Sequence, residues 1–221
     1  MAKKIGVMLS GCGNRDGSEI HESVLTLLAI DRNGAESVCM APDIPQSHVI
    51  NFLTGEISRS DKRNALAEAA RIARGRIKNM KEIHAYDFDA LIIPGGSGAA
   101  STLSNFNQKG ENCQVDPEVS RVVRETLNGG KPIGVICIAP VILAKIAGET
   151  GRHVRLTIGN DPDTAKAIEA MGGTHVEATA SEVVIDETNR VVSTPAYMVA
   201  RSISEVGTGI DKLVNHILRM L

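Results

Sequence analysis

Four short apolar runs constrain this chain more than any other feature. Lys4–Leu9, Ser37–Ala41, Ala90–Ile93 and Ile133–Ile136 each read as a buried strand, and stretches with helical spacing or capping signals separate them. Connections of that length are too long for hairpins and suit crossover helices between parallel neighbours. Strands that are apolar on both sides belong in a parallel sheet with helices on both faces. The prediction is therefore an α/β sandwich with a mostly parallel central sheet. No repeat or linker interrupts it, so residues 1–221 are expected to form a single domain.

The helices announce themselves at their ends. One opens at Ser18-Glu19, is expected to carry Ile20, Val24, Leu27 and Leu28 on one face, and closes at Asn33-Gly34. Others run over Asp61–Arg74, from Asp116-Pro117 to Asn128, over Ala139–Ala147, from Asp161-Pro162 to Gly172-Gly173, and from about Ser202 to Arg219. Leu156–Ile158 reads as a short strand. Val183–Ile185 and Val191–Thr194 flank a turn and read as a hairpin. Residues 97–115 form a long polar stretch, either a lid or a subunit contact.

Composition removes several function classes. Two Tyr, three Phe and no Trp make the core aliphatic and leave little for stacking on bases. The net charge of −2 carries no basic patch, so no nucleic acid is expected as a partner. The apolar run after Met1-Ala2-Lys3-Lys4 is too short for a signal segment or a membrane span. No membrane partner is expected, and the chain is assigned to the cytoplasm. The four cysteines, Cys12, Cys39, Cys113 and Cys137, include no Cys-x-x-Cys pair, which argues against structural zinc and for free thiols.

In open α/β sheets, ligands collect beyond the carboxyl ends of the strands. Three unusual loops fall there: 10–19, 94–98 and 137–140. In Gly134-Val135-Ile136-Cys137-Ile138-Ala139-Pro140 a strand ends on a cysteine and a helix follows at once, the pattern of a nucleophile elbow. Helix N-terminal amides favour a thiolate, so Cys137 is expected to have the lowest pKa of the four thiols, roughly 5–7.5. Gly95 and Gly96 let backbone amides approach a ligand, forming an oxyanion site with the amide of Ile138. Glu19, in the first turn of a helix at the same edge, is placed either to hydrogen-bond the sulfur or, in the commoner role, to cap the helix. Cys12 lies between two glycines and is a second candidate thiol, a possible resolving partner under oxidation. Asp16, His21 and Glu22 lack metal-ligand spacing; no metal is assigned, and the acidic residues read as helix-start charges. No Gly-x-Gly-x-x-Gly fingerprint supports a dinucleotide.

Ile92-Ile93-Pro94-Gly95-Gly96, the Gly134–Pro140 elbow and Gly17-Ser18-Glu19 resemble the ThiJ/PfpI superfamily, within the flavodoxin-like, class I glutamine amidotransferase-like fold. Leu9-Ser10-Gly11-Cys12-Gly13, Leu103-Ser104-Asn105-Phe106, Arg155-Leu156-Thr157-Ile158-Gly159 and Thr194-Pro195-Ala196-Tyr197-Met198 are similar to its ElbB, or enhancing lycopene biosynthesis, group. The resemblance implies Cys137 as nucleophile with Glu19 as its carboxyl. It also implies Gly96 and Ile138 as oxyanion donors and a glyoxalase-like lyase activity on small aldehydes, weak and without a cofactor. Superfamily relatives commonly pair as homodimers. Ile138 stands where superfamily proteases have a histidine; His153 is an accessory candidate base. Amidotransfer is set aside because its Cys-His-Glu set reads as incomplete. The alternative is a redox-responsive or partner-binding protein linked to isoprenoid supply.

Overall fold

The computed structural model describes residues 2–221. Nine strands and eight α-helices alternate along them: β1 (Lys4–Met8), α1 (Ile20–Arg32), β2 (Glu36–Ala41), α2 (Ala65–Ile72), β3 (Ile77–Asn79), β4 (Ala90–Ile93), α3 (Ser97–Ser101), α4 (Phe106–Lys109), α5 (Pro117–Asn128), β5 (Ile133–Ile136), α6 (Pro140–Glu149), β6 (Arg155–Leu156), α7 (Pro162–Ala170), β7 (Thr174–His175), β8 (Val184–Asp186), β9 (Val191–Thr194) and α8 (Ile203–Arg219). Seven strands form one sheet in the order β3-β2-β1-β4-β5-β9-β8. All its pairings are parallel except β8 against β9, the hairpin read from the sequence.

The four strands expected from apolar runs are the central β2-β1-β4-β5 block, as predicted. β4 and β5 are buried along their whole length because helices cover both faces. On one face α5 and α6 bring Val119, Val122, Val123, Ile142 and Leu143 against Leu91, Ile93, Ile133 and Val135. On the other, α8 brings Val206, Ile210, Leu213 and Ile217 against Ile5, Val7 and Ile92. Gly134 makes that second packing possible: a Cβ there would lie 2.8 Å from Leu213 Cδ2.

Several details differ from expectation. β3 and β7 escape a sequence pattern because they are three and two residues long. The strand expected at Leu156–Ile158 begins at Arg155 and pairs with β7 in a separate two-stranded sheet. The helix expected from Asp61 starts at Ala65, where the Asn64 side chain accepts from the Ala67 amide. Residues 97–115 are not a simple polar loop. They hold α3 and α4, and Leu103 and Cys113 are buried in the core.

α1 carries Ile20, Val24, Leu27 and Leu28 on one face, as expected, and that face lines an outer groove. Its buried side holds Glu22, Ser23, Thr26, Ala29 and Ile30. Ile20, Val24 and Leu28 are exposed at 42%, 46% and 38%. Ser23 and Thr26 tolerate burial because their hydroxyls donate to the helix carbonyls of Glu19 and Glu22, both at 2.7 Å.

Candidate active site

The site grows from the end of β5. Cys137 follows the last strand residue and takes φ = 60°, the left-handed region that a non-glycine residue seldom adopts. Two contacts hold it there. Its amide donates to Thr194 O at the end of β9 (2.9 Å), and the Ala139 amide closes the turn on Ile136 O (3.0 Å). α6 then begins at Pro140. Backbone strain at a turn that presents a nucleophile is the signature of an elbow. The backbone amides of Gly96 and Ile138 act on the Cys137 sulfur and pull its pKa down.

The carboxyl that meets the sulfur is Glu22, not Glu19. Glu22 is completely buried and shares a hydrogen bond with Cys137. Its Oε2 accepts from the Gly95 amide at 2.9 Å and its Oε1 from the Tyr197 amide at 3.4 Å. Glu19 instead caps α1, its Oε2 accepting the Glu22 amide at 2.6 Å. The helix begins one residue later than expected, with Glu19 as its N-cap, and Glu22 in its first turn is the carboxyl on the buried side. Gly95 also changes role. Its amide is committed to Glu22, leaving Gly96 and Ile138 as the donors to sulfur. A side chain on Gly95 has no room: a Cβ would lie 2.4 Å from Cys137 Cβ and 2.8 Å from Glu22 Oε2.

Burial dominates the proton chemistry. It raises Glu22 from 4.5 to about 8, with the neighbouring Glu19 charge adding to the rise; the Tyr197 amide, the Cys137 thiol and the Gly95 amide offset only part of it. Burial also pushes the Cys137 thiol well above its usual value, and charged Glu22 pushes it further, against the pull of the Gly96 amide. The expected low-pKa thiolate is thus corrected. Desolvation outweighs the helix N-terminus, and the two groups hold protons jointly. The other thiols are raised as well, Cys39 to about 11 inside its strand.

A cavity of about 280 Å³ opens over the sulfur, lined by Asn14, Glu19, Gly96, Ser97, Ala100, Asn107, Cys137, Ile138, Tyr197 and Met198. Loop 10–19 is tied to the loop after β4 by hydrogen bonds from the amides of Ser97 to Asn14 O (2.7 Å), Gly98 to Gly17 O (2.9 Å) and Glu19 to Gly95 O (3.0 Å). The three strand-end loops therefore do converge. Tyr197 follows β9, after Ala196 in a left-handed conformation (φ = 43°), and its hydroxyl lies 2.7 Å from His21 Nδ1.

Cys12 and His153 stand elsewhere. Cys12 is half-buried and lines an apolar groove with Ile20, Val24 and Leu27 on the outer side of α1. His153 lies before β6, with Nδ1 2.9 Å from Gly172 O. Neither lines the Cys137 cavity. The chain does contain a His-x-Glu triplet, His175-Val176-Glu177, contrary to the incomplete set read above; it starts on β7 and also lies outside that cavity. Among the described residues, no group of three or more His, Cys, Asp or Glu side chains is arranged to hold a metal ion.

Sequence reasoning missed Glu22, Tyr197 and His21. A signal for Glu22 was present: Glu22, Thr26, Ala29 and Ile30 repeat at helical spacing, but the more apolar stripe of Ile20, Val24, Leu27 and Leu28 stands out beside it. Tyr197 had only its place after a strand end.

Residues 16–200 match the DJ-1/PfpI family. The chain is 42% identical to the rat "ES1 protein homolog, mitochondrial" over 226 residues, covering 98% of this chain and 84% of that one. It is also 42% identical to the human "Glutamine amidotransferase-like class 1 domain-containing protein 3, mitochondrial", covering 99% and 84%. The crystal structure of an isoprenoid biosynthesis protein with an amidotransferase-like domain from Ehrlichia chaffeensis superposes with a TM-score of 0.92 at 37% identity over 99% of both chains. Drosophila melanogaster DJ-1beta shares the fold alone, with a TM-score of 0.56 at 17% identity over 99% of this chain and 95% of that one. The cytoplasmic assignment is overturned by these relatives, since both the rat and the human proteins are named mitochondrial.

Proposed function

The chain belongs to the DJ-1/PfpI family, and from that premise we propose that it converts small neutral dicarbonyls such as glyoxal and methylglyoxal into hydroxy acids, with Cys137 as nucleophile and no cofactor. The observation that carries this reading is the Cys137–Glu22 pair: a thiol on a strained elbow, two amide donors, and one buried carboxyl whose pKa of about 8 suits proton transfer. The active form has one proton between the two groups, as thiol and carboxylate. The thiol adds to the aldehyde carbon while its proton passes through Glu22 to the aldehyde oxygen, giving a hemithioacetal. Glu22, again a carboxylate, takes the hydrogen from that carbon as the neighbouring carbonyl oxygen gains a proton, giving an enediol. A proton returned to the neighbouring carbon yields a thioester. Water cleaves it, restores the thiol and releases the hydroxy acid.

The cavity also speaks to substrate class. No Lys or Arg is among its lining residues, and Glu19 adds a negative charge, so an anionic oxo acid is disfavoured. At about 280 Å³ it suits a molecule of a few heavy atoms. The test is consumption of methylglyoxal by purified protein with chiral analysis of the lactate formed, beside Cys137→Ser. Turnover that survives Cys137→Ser would remove this function.

A second reading, binding of a partner, has its own support in the exposed apolar side of α1. We propose that Ile20, Val24 and Leu28 meet a second copy of the chain in a homodimer.

A further inference from the structure

We propose that Tyr197 is a catalytic acid–base residue of this site and that His21 positions it and stabilises its phenolate. The inference rests on the dicarbonyl reading above and supplies what that reading lacks, a group to handle protons on the substrate oxygens. Glu22 can serve the carbon atoms but not both oxygens at once.

Tyr197 lines the cavity that contains Cys137 and is joined to the catalytic pair through its own backbone, since its amide donates to Glu22 Oε1 at 3.4 Å. The chain reaches this position at a cost. Ala196 adopts φ = 43°, a conformation unfavourable for alanine, immediately before it. The strand end that leads there, Thr194, also anchors the elbow by accepting the Cys137 amide at 2.9 Å. Elbow, carboxyl and phenol are thus held to one another by backbone contacts.

Behind the phenol stands His21, from the first turn of α1. Its Nδ1 lies 2.7 Å from Tyr197 Oη, and the two rings tilt at 46° with centroids 5.9 Å apart. His21 is exposed and one residue from the buried Glu22, so the pair connects the cavity to solvent. Burial, then the charges of Glu19 and Glu22, raise the Tyr197 pKa and keep its proton in place in the resting site.

The cycle balances. As Glu22 takes the hydrogen from the thiol-bearing carbon, Tyr197 gives its proton to the neighbouring carbonyl oxygen and becomes a phenolate. His21, with its proton on Nδ1, donates a hydrogen bond to that phenolate. When Glu22 returns its proton to the neighbouring carbon, the hydroxyl on the thiol-bearing carbon gives its proton back to Tyr197. The products are a thioester, a carboxylate and a phenol, with no external oxidant or base.

The experiment compares Tyr197→Phe, His21→Gln, their double variant and Tyr86→Phe with wild type. Tyr86, the other tyrosine of the chain, is 79% exposed and serves as the control. The readouts are methylglyoxal turnover, the rate of Cys137 alkylation by iodoacetamide, and the isotope effect with substrate deuterated at the aldehyde carbon. Tyr197→Phe is expected to lower kcat about 100-fold with KM unchanged to about twofold, and to enlarge the isotope effect. His21→Gln is expected to lower kcat about tenfold, the scale of one hydrogen bond to a charged group. The double variant should be no slower than Tyr197→Phe, because His21 acts through the phenol. Alkylation of Cys137 should be unchanged throughout. Wild-type turnover in Tyr197→Phe would overturn this assignment and leave the dicarbonyl reading standing. A parallel fall in Cys137 alkylation would also overturn it, by making Tyr197 a structural support. No turnover by wild type would overturn both.

Discussion

α1 and α8 pack together on one face of the same sheet and follow opposite rules. α8 turns Val206, Ile210, Leu213, Val214 and Ile217 inward, the stripe that its apolar spacing dictates. α1 turns Glu22, Ser23 and Thr26 inward and leaves Ile20, Val24 and Leu28 in solvent. The hydrophobic effect alone would rotate α1 by about half a turn. Other forces hold it. The Glu19 cap, the two amides on Glu22 and the bond to Cys137 fix its first turn over the catalytic sulfur. A helix with a buried polar side and an exposed apolar side departs from the hydrophobic rule on both, and each departure calls for a separate test.

The strongest way to break that contrast is Glu22→Gln, which should divide activity from stability. We expect kcat/KM for methylglyoxal to fall about 100- to 1,000-fold, because the proton carrier is lost. In wild type the raised pKa means kcat/KM should climb about tenfold per pH unit below about 8 and level off above it. The linkage to folding has the opposite sign. Folded Glu22 holds its proton more tightly than the unfolded carboxyl, so its contribution declines as pH rises from about 4.5 to about 8. Glutamine does not titrate, but it cannot accept both amides. The variant should be about 1 kcal/mol less stable than wild type at pH 5 and more stable at pH 9. Urea unfolding at both values reads the crossing; curves that keep the same order would remove Glu22 as the titrating group.

On α8 the analogous change should act on stability alone. Leu213 is fully buried, against the space left open by Gly134. Leu213→Ala should cost about 2–5 kcal/mol, through lost transfer energy and a residual cavity. Per folded molecule, kcat should stay near wild type, since Leu213 does not line the site. Thermal denaturation with active-site titration separates the two quantities.

The same contrast explains what was legible in advance. The central sheet was readable because β4 and β5 are apolar and buried throughout and β1 and β2 each carry a buried apolar run. The elbow was readable because strand, cysteine and proline are adjacent in the chain. The buried side of α1 was not legible, because amphipathic spacing shows that a helix has two faces but not which one is buried. That choice was made here by contacts 73 and 175 residues away, from Gly95 and Tyr197 to Glu22. The raised thiol pKa was hidden for a related reason. A helix N-terminus is visible in sequence, whereas complete burial beside a second acid is not.

Glu19→Gln sharpens the distinction between the two carboxyls. The amide oxygen can still cap α1, so stability should change by less than about 1 kcal/mol. Removing the Glu19 charge takes away one of the influences that raise Glu22. The rising limb of the pH–rate profile should therefore move to lower pH, by less than about one unit, with little change in the plateau. A plateau that collapses as it does in Glu22→Gln would return the central role to Glu19.

The smallest expected effect on the fold belongs to the outer face of α1. Val24 is 46% exposed, so Val24→Asp buries no new charge within one chain. Folding stability measured at low protein concentration should stay within about 0.5 kcal/mol of wild type. In a homodimer paired through Ile20, Val24 and Leu28, twofold symmetry introduces the charge twice, and each carboxylate would have to lose water against an apolar partner. Light scattering over a concentration series should then give a dimer mass for wild type and a monomer mass for the variant, with intrinsic kcat preserved because Val24 lies outside the Cys137 cavity. Equal masses for the two proteins at every concentration would assign the apolar side of α1 to some other contact, and the inversion of the helix would then rest on Glu22 alone.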